Sequence, residues 1–312
     1  MKIALTGASG LIGSRFFDLL KSKYEIIPLS SSYGVDITDK TKLERFLSNK
    51  NPALIAHMAA KTGVDSCEQD RETDIKKLKK ARVYIEDKKL DVLAIDPTEW
   101  KNEVSAFAIN VVGTKNLSDY AQKNEIPLIY ISTDFVFDGE KNGEYTEEDE
   151  TNPINWYGQT KLWGEKVLPQ EHLITRTSYP YGYKSQIKKD FIWSLVDLIQ
   201  SQDIARLVSD QIITPTFIDN IVYALDFLIE KKARGLLNVV GNNFLSPYEI
   251  GIAISREFGI PEIKIETVTR EKLYKGRAHR PFKVMLKNDK LRDLGFEMTD
   301  FFETLKLIKK GI

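Results

Sequence analysis

Tyr157 and Lys161 stand four residues apart in NWYGQTKLWGEK, a spacing that on a helix puts a phenol and an ammonium on one face. Thr133 closes the run Leu128-Ile129-Tyr130-Ile131-Ser132, which reads as a strand entering a loop. Brought together, these three side chains have the means to protonate a carbonyl oxygen. A free phenol has a pKa of about 10, and a neighbouring ammonium draws it toward neutrality. Tyr157 is therefore expected to give the proton and Lys161 to tune it, while Thr133 hydrogen-bonds the oxygen as negative charge gathers there. The same spacing recurs at Tyr84 and Lys88, in a charge-dense stretch, and reads there as a solvated helical pair.

Such chemistry needs a hydride source, and TGASGLIG points to one. Gly7, Gly10 and Gly13 fall between the short strand Ile3-Ala4-Leu5 and the helical spacing of Leu11, Ile12, Phe16, Leu19 and Leu20. Glycine permits the tight turn and lets a pyrophosphate approach main-chain N–H groups at the helix start, and the third glycine allows close helix–strand packing. This Gly-x-x-Gly-x-x-Gly form is a variant of the dinucleotide fingerprint. The second strand ends Leu29-Ser30-Ser31-Ser32, with no carboxylate before Asp36 to take the adenosine 2′-hydroxyl of NAD. The serines accept either form and Arg15 lies just behind Gly13, so NADP is favoured and NAD still permitted. Lys161 is also in a position to hold the nicotinamide ribose hydroxyls.

These groups need a scaffold. Apolar strands near 26–29, 54–58, 128–131 and 173–175 alternate with helices near 43–47, 106–122 and 157–167, the rhythm of right-handed βαβ crossovers. The expected fold is α/β: a Rossmann-type doubly wound parallel sheet with a smaller C-terminal substrate lobe. The dinucleotide-binding domain is read over 1–177 and the lobe mainly over 178–312, with segments near 210–240 returning to the first domain. About half the residues of 71–103 are charged, and Ile75, Leu78, Ile85, Leu90 and Leu93 make only a ragged apolar stripe. That stretch is read as a solvated helical excursion, with a lid or docking element as the alternative.

Composition sets the limits. The 312 residues carry 45 basic and 45 acidic side chains, so no net field steers the chain toward nucleic acid or an anionic membrane. No apolar run approaches membrane length, and the chain opens on a strand instead of a cleavable signal. Cys67 stands alone, which excludes an intrachain disulfide and suits a reducing, cytoplasmic setting. His57, His172 and His279 lack ligand spacing, so no metal is expected.

Taken together, these motifs resemble the extended short-chain dehydrogenase/reductase superfamily and, within it, the dTDP-4-dehydrorhamnose reductase family. The resemblance runs through TGASGLIGS, VDITD, HMAAKTGVDSCE, FAINVVGTKNL, YISTDFVFDG, PINWYGQTKLWGE, ITRTSYPYG, SDQIITPTF and HRPFKVMLKNDKLRDLGF. It implies a Rossmann domain with a small substrate lobe that reduces a 4-keto nucleotide sugar with NADPH or NADH; a homodimer is compatible with it. It makes Thr133, Tyr157 and Lys161 the catalytic set. Gly7, Gly10, Leu11 and Ile12 then belong at the pyrophosphate, Asp36 and Ile37 near the adenine, and Ala59, Ala60 and Thr62 at the nicotinamide, with Asn110 in support. Val64, Asp65, Asp134, Phe135 and Val136 are implied to face the sugar. Two departures stand out: Tyr179 occupies a place where the family commonly has tryptophan, and 71–103 follows the Val64-Asp65 loop as an atypical insertion.

Other functions compete. A dehydratase would carry Asp-Glu after the threonine, whereas Asp134 is followed by Phe135. An epimerase would use the same tyrosine, but the branch-specific segments argue against it. A non-catalytic regulatory subunit, like the β subunit of methionine adenosyltransferase, shares the fold and similar motifs; the intact Thr133, Tyr157 and Lys161 favour catalysis.

Overall fold

The computed structural model describes residues 1–31, 34–85, 89–92, 94–184, 189–262 and 265–310. Two compact units divide the chain. The first comprises Met1–Val136, Pro153–Thr175 and Ala233–Leu236, and the second Phe137–Asn152, Arg176–Lys232 and Leu237–Ile312.

The chain opens on β1 (Lys2–Thr6), whose Ile3, Ala4 and Leu5 are fully buried, as a strand covered on both faces requires. After the glycine turn come α1 (Leu11–Leu20), β2 (Glu25–Leu29) and α2 (Lys40–Lys50). The Asp39 carboxylate caps α2 by accepting from Lys42 N–H, and Leu43 and Leu47, four apart, bury its inner face. β3 (Leu54–His57) is buried at every position and leads into α3 (Val64–Lys80). A short antiparallel pair, β4 (Tyr84–Ile85) and β5 (Lys89–Leu90), follows.

The expected helix over 106–122 is interrupted: Ala108–Gly113 forms a π-helical turn before α4 (Thr114–Lys123) begins. Such wide turns recur at functional sites. β6 (Leu128–Thr133) ends in a tight turn, Asp134–Val136. α5 (Trp156–Lys166) is capped by Asn155, whose side chain accepts from Gly158 N–H. β7 (Leu173–Thr177) completes this stretch.

Further along lie β8 (Pro180–Tyr181), α6 (Phe191–Ser201), β9 (Ala205–Val208), β10 (Thr216–Phe217) and α7 (Ile218–Glu230). They are followed by β11 (Gly235–Asn238), α8 (Pro247–Phe258), β12 (Ile265–Val268) and α9 (Arg270–Leu273). The last helices are α10 (Asp289–Asp293) and α11 (Phe301–Lys310). In the second unit β8 pairs with β10 and β9 with β12, both in parallel. Trp193, Ile199, Leu207, Ile254, Phe301 and Leu305 belong to that unit's own buried core.

The main sheet has six strands in the order β11-β7-β6-β3-β1-β2, and the pairs β1–β2, β1–β3 and β3–β6 are parallel. Chain order reverses between β1 and β3. In an open α/β sheet that reversal leaves a crevice at the carboxyl ends of the two strands, where ligands bind. The Gly7 turn and the loop beginning at Ala59 both leave from there.

The charged stretch 71–103 departs from the expectation. Leu78, Val83, Val92, Ile95 and Trp100 are buried in the same core as Ala4, Leu43 and Phe107. The Trp100 and Phe107 rings meet at 4.5 Å, and the Lys77 ammonium lies 4.3 Å from the Trp100 ring centroid. The segment is thus part of the first unit's interior, and one of its charged residues, Asp74, is buried with the apolar ones. Tyr84 lies in β4 and not on a helix, so the second Tyr-x-x-x-Lys spacing does not make a helical pair. Lys88 and Leu93 lie outside the described residues.

Candidate active site

Thr133 ends β6 and Tyr157 stands in the first turn of α5. Gly158 lets the two elements close up, since a Cβ there would fall on the Phe135 carbonyl oxygen. The result is the pair of hydroxyls that the sequence suggested: the Thr133 hydroxyl is near enough to the Tyr157 phenol to act on its proton affinity. Thr133 Oγ1 also donates to Asp134 Oδ1 at 3.0 Å and accepts from Phe135 N–H at 3.3 Å. The Phe135 ring packs edge-on against Tyr157 with centroids 5.5 Å apart.

The electrostatics differ from expectation in direction. Tyr157 is not acidified: burial pushes its pKa well above 10, the Thr133 hydroxyl only partly offsets this, and Asp134 and Cys67 push the same way as burial. Lys161 is engaged elsewhere. Its Nζ donates to the Ile131 carbonyl at 2.6 Å and lies 3.9 Å from the centroid of the Tyr130 ring. Burial draws the Lys161 pKa down to about 7, against the pull of Glu165 in the other direction. The correction has a physical origin: four-residue spacing puts both groups on one helical face, but the lysine reaches past the tyrosine to β6. At neutral pH the site therefore holds a fully protonated phenol.

The nucleotide side starts at Gly7, which has φ +70° and whose missing Cβ would meet Ala59 N and the Met58 carbonyl carbon at 2.6 Å. Only glycine fits there. Gly10 is the N-cap of α1, with no side-chain cap and no acidic residue in the first turn. Leu11, Ile12 and Gly13 thus open a ten-residue helix whose N-terminal partial charge is free to face a phosphate. That cradle fits a dinucleotide pyrophosphate.

A buried polar chain that the sequence did not reveal fixes the walls of this crevice. Thr6 Oγ1 accepts from both Met58 N–H and Ala59 N–H at 3.1 Å, so its own proton goes to His57 Nδ1 at 2.7 Å. Nε2 must then carry the imidazole proton, which it donates to Thr114 Oγ1 at 2.9 Å, and Thr114 in turn donates to the Asn110 carbonyl at 2.7 Å. Burial, and then the Lys161 charge, holds the His57 pKa well below 6.5, so the ring stays neutral. Asn110 continues outward. Its Oδ1 accepts from Lys61 N–H at 2.8 Å, and its Nδ2 donates to the Lys61 carbonyl at 3.1 Å and to Thr160 Oγ1 at 3.0 Å. It thereby ties the loop of Ala59, Ala60 and Thr62 to the helix of Tyr157. A histidine ending a wholly buried strand was the available signal, since buried polar groups need partners.

The family model of the RmlD substrate binding domain matches residues 1–87 and 91–311. The chain belongs to this family. That places it among the oxidoreductases of the extended short-chain dehydrogenase/reductase type. A dTDP-4-dehydrorhamnose reductase of Aggregatibacter actinomycetemcomitans is 28% identical, the match covering 99% of this chain and 98% of the relative. The structure of the Bacillus anthracis str. Ames dTDP-4-dehydrorhamnose reductase in complex with NADP is 26% identical. It superposes with a TM-score of 0.82 over 100% of this chain and 99% of that one. The Mus musculus methionine adenosyltransferase 2 subunit beta is 26% identical over 97% of this chain and 85% of its own length.

The remaining residues of this RmlD-family chain are placed as follows. Ser30 and Ser31 begin a turn in which their carbonyls accept from Val35 and Gly34 N–H, and Ser32 lies outside the described residues. Asp36 Oδ1 is taken up by Thr38 N–H and Thr38 Oγ1, both at 2.8 Å, and Ile37 is buried in the core. Val64 and Asp65 open α3. Asp134, Phe135 and Val136 form the buried turn after Thr133. Tyr179, in the second unit, adopts φ +39°, packs edge-on against Phe191 at 5.1 Å and accepts from Gln211 Nε2 at 3.4 Å. Among the described residues there is no cluster able to hold a metal ion, and no helix long and apolar enough to cross a membrane.

Proposed function

We propose that the protein reduces the 4-keto group of a nucleotide-activated deoxysugar with NADPH, Tyr157 acting as proton donor. The observation that carries this reading is the placing of Thr133 at the end of β6 and of Tyr157 in the first turn of α5, packed on Phe135, in the unit that also presents the Gly7–Gly13 turn. Gly7, Gly10, Leu11, Ile12 and Gly13 would hold the pyrophosphate, Ala59, Ala60 and Thr62 would line the nicotinamide, and Lys161 would meet its ribose. When bound, the dihydronicotinamide supplies the hydride. Thr133 holds the substrate oxygen as charge develops on it, and Tyr157, kept protonated by burial, delivers the proton. Val64, Asp65, Asp134, Phe135 and Val136 are proposed for the sugar side. NADP is favoured over NAD because the first acid after β2, Asp36, comes seven residues beyond the strand and turns one oxygen to Thr38, and because the Bacillus anthracis relative binds NADP.

The test supplies NADPH and a panel of 4-keto nucleotide sugars and follows the loss of dihydronicotinamide absorbance. Tyr157→Phe should lower turnover by at least about 100-fold while NADPH binding, read by fluorescence titration, stays near wild type. Equal turnover in that variant rejects the proton-donor role. A regulatory subunit is the second reading, favoured by the likeness to the methionine adenosyltransferase β subunit. It predicts NADPH binding without turnover on any member of the panel.

A further inference from the structure

We propose that Asp74 and Glu68 of α3 are positioning residues for Tyr157, acting through Trp156, the residue that precedes it. This rests on the reductase reading above. α3 turns Cys67, Asp74 and Leu78 inward, all of them buried, so a carboxylate stands on an otherwise apolar face. Asp74 is only 1% exposed. Its Oδ2 accepts from Trp156 Nε1–H at 2.8 Å and from Phe107 N–H at 3.2 Å. Nearly two turns earlier, Glu68 Oε2 accepts from Trp156 N–H at 2.7 Å. That N–H is one of the groups at the start of α5 with no partner inside the helix.

Both ends of Trp156 are therefore pinned, the backbone by one carboxylate and the indole by the other. The indole is further locked edge-on against Trp163 at 5.3 Å. On the other side of Tyr157, Asn155 holds Gly158 N–H at 2.8 Å. Tyr157 is suspended between two fixed residues, with its ring edge-on against Phe135. An apolar side chain would fill the place of Asp74 with less desolvation. What the carboxylate adds is direction: one oxygen takes the indole N–H and the Phe107 N–H together. A hydroxyl pair that must meet a carbonyl within hydrogen-bond range benefits from that, because small misplacements are heavily penalised in rate.

The experiment compares Asp74→Leu, Asp74→Asn and Trp156→Phe in the full chain. Steady-state reduction is measured together with NADPH binding and the Tyr157 13Cζ resonance in the absence of cofactor. Asp74→Leu should lower kcat about 10- to 100-fold, with KM and NADPH affinity held. Asp74→Asn keeps an oxygen for the indole and should recover most of the rate. Trp156→Phe leaves Asp74 in place and should reproduce the loss seen with Asp74→Leu, which keeps the idea testable if the leucine variant does not fold. Wild-type kcat in Trp156→Phe, or a lowered Tm in Asp74→Leu with kcat unchanged, overturns the proposal. The resonance separates this from the reductase reading. Asp74→Leu should move Tyr157 13Cζ toward its position in Thr133→Val whether or not any substrate turns over, and an unmoved resonance rejects the clamp.

Discussion

Two buried hydrogen-bond networks reach the same site and are built on opposite chemistry. The network through Thr6, His57, Thr114 and Asn110 is made of neutral groups, each handing one proton to the next. The network from α3 ends on carboxylates, Asp74 and Glu68, that take N–H donors from α5 and from the start of the π-helical turn. A neutral chain has one arrangement of protons that satisfies every member, so it specifies a conformation sharply but cannot be charged without breaking. A carboxylate keeps its acceptor whether ionised or amidated. The first network is intolerant of losing any one of its hydrogen-bonding groups, and the second tolerates loss of charge so long as an acceptor of the same shape remains.

The largest test removes the root of the charged network. Deleting 71–103 takes out Asp74 together with Leu78, Val92, Ile95 and Trp100, all of them core residues. Each large buried side chain lost costs about 2–5 kcal/mol, so thermal melting should show loss of the first unit's cooperative transition. A deletion that melts like wild type would show that the segment is dispensable packing.

A smaller effect probes the neutral network. His57→Leu leaves the Thr6 hydroxyl and the Thr114 hydroxyl each without its imidazole partner, at about 1–3 kcal/mol per unsatisfied group. Urea unfolding should show a lowered midpoint, while Thr114→Ser, which keeps the hydroxyl, should stay close to wild type. If His57→Leu and Thr114→Ser destabilise equally, the proton order assigned to the chain is wrong.

The smallest effects are in pH dependence, where the two networks have opposite signs. His57 has a folded pKa depressed below 6.5 by burial, so the unfolded chain binds its proton more readily and this contribution is lost as pH falls below 6.5. Asp74 has a folded pKa raised above 3.8, first by burial, so the folded chain binds the proton more readily. Its contribution weakens as pH rises from 3.8 through the raised value. Wild type should therefore gain in stability on Asp74→Asn as pH falls toward 3.8. Parallel curves would show that folding does not raise the pKa of Asp74.

The sequence made the glycine turn legible because a missing Cβ at Gly7 is a requirement that only residue type can meet. Thr133 and Tyr157 were legible because a strand end and a capped helix each leave a local signature. Three things were hidden. Burial depth is not local, so spacing alone placed Lys161 beside the phenol when its ammonium reaches the Ile131 carbonyl. Charge density averages over helix faces, so 71–103 looked solvated although Asp74 and Leu78 lie inward. The partners of His57 come from β1 and α4, separated by 51 and 57 residues, and no window along the chain contains them together.

The π-helical turn at Ala108–Gly113 carries a consequence for the His57 imidazole, because Thr114 follows directly on it. The Thr114 hydroxyl donates to the Asn110 carbonyl and receives the Nε2 proton at 2.9 Å. Excising one residue to restore the ordinary four-residue repeat would turn Thr114 by about 100° around the helix axis. Its hydroxyl would leave the imidazole, and the proton that Thr6 directs to Nε2 would lose its acceptor. Backbone periodicity in one helix thus decides whether a tautomer set from a neighbouring strand finds its partner.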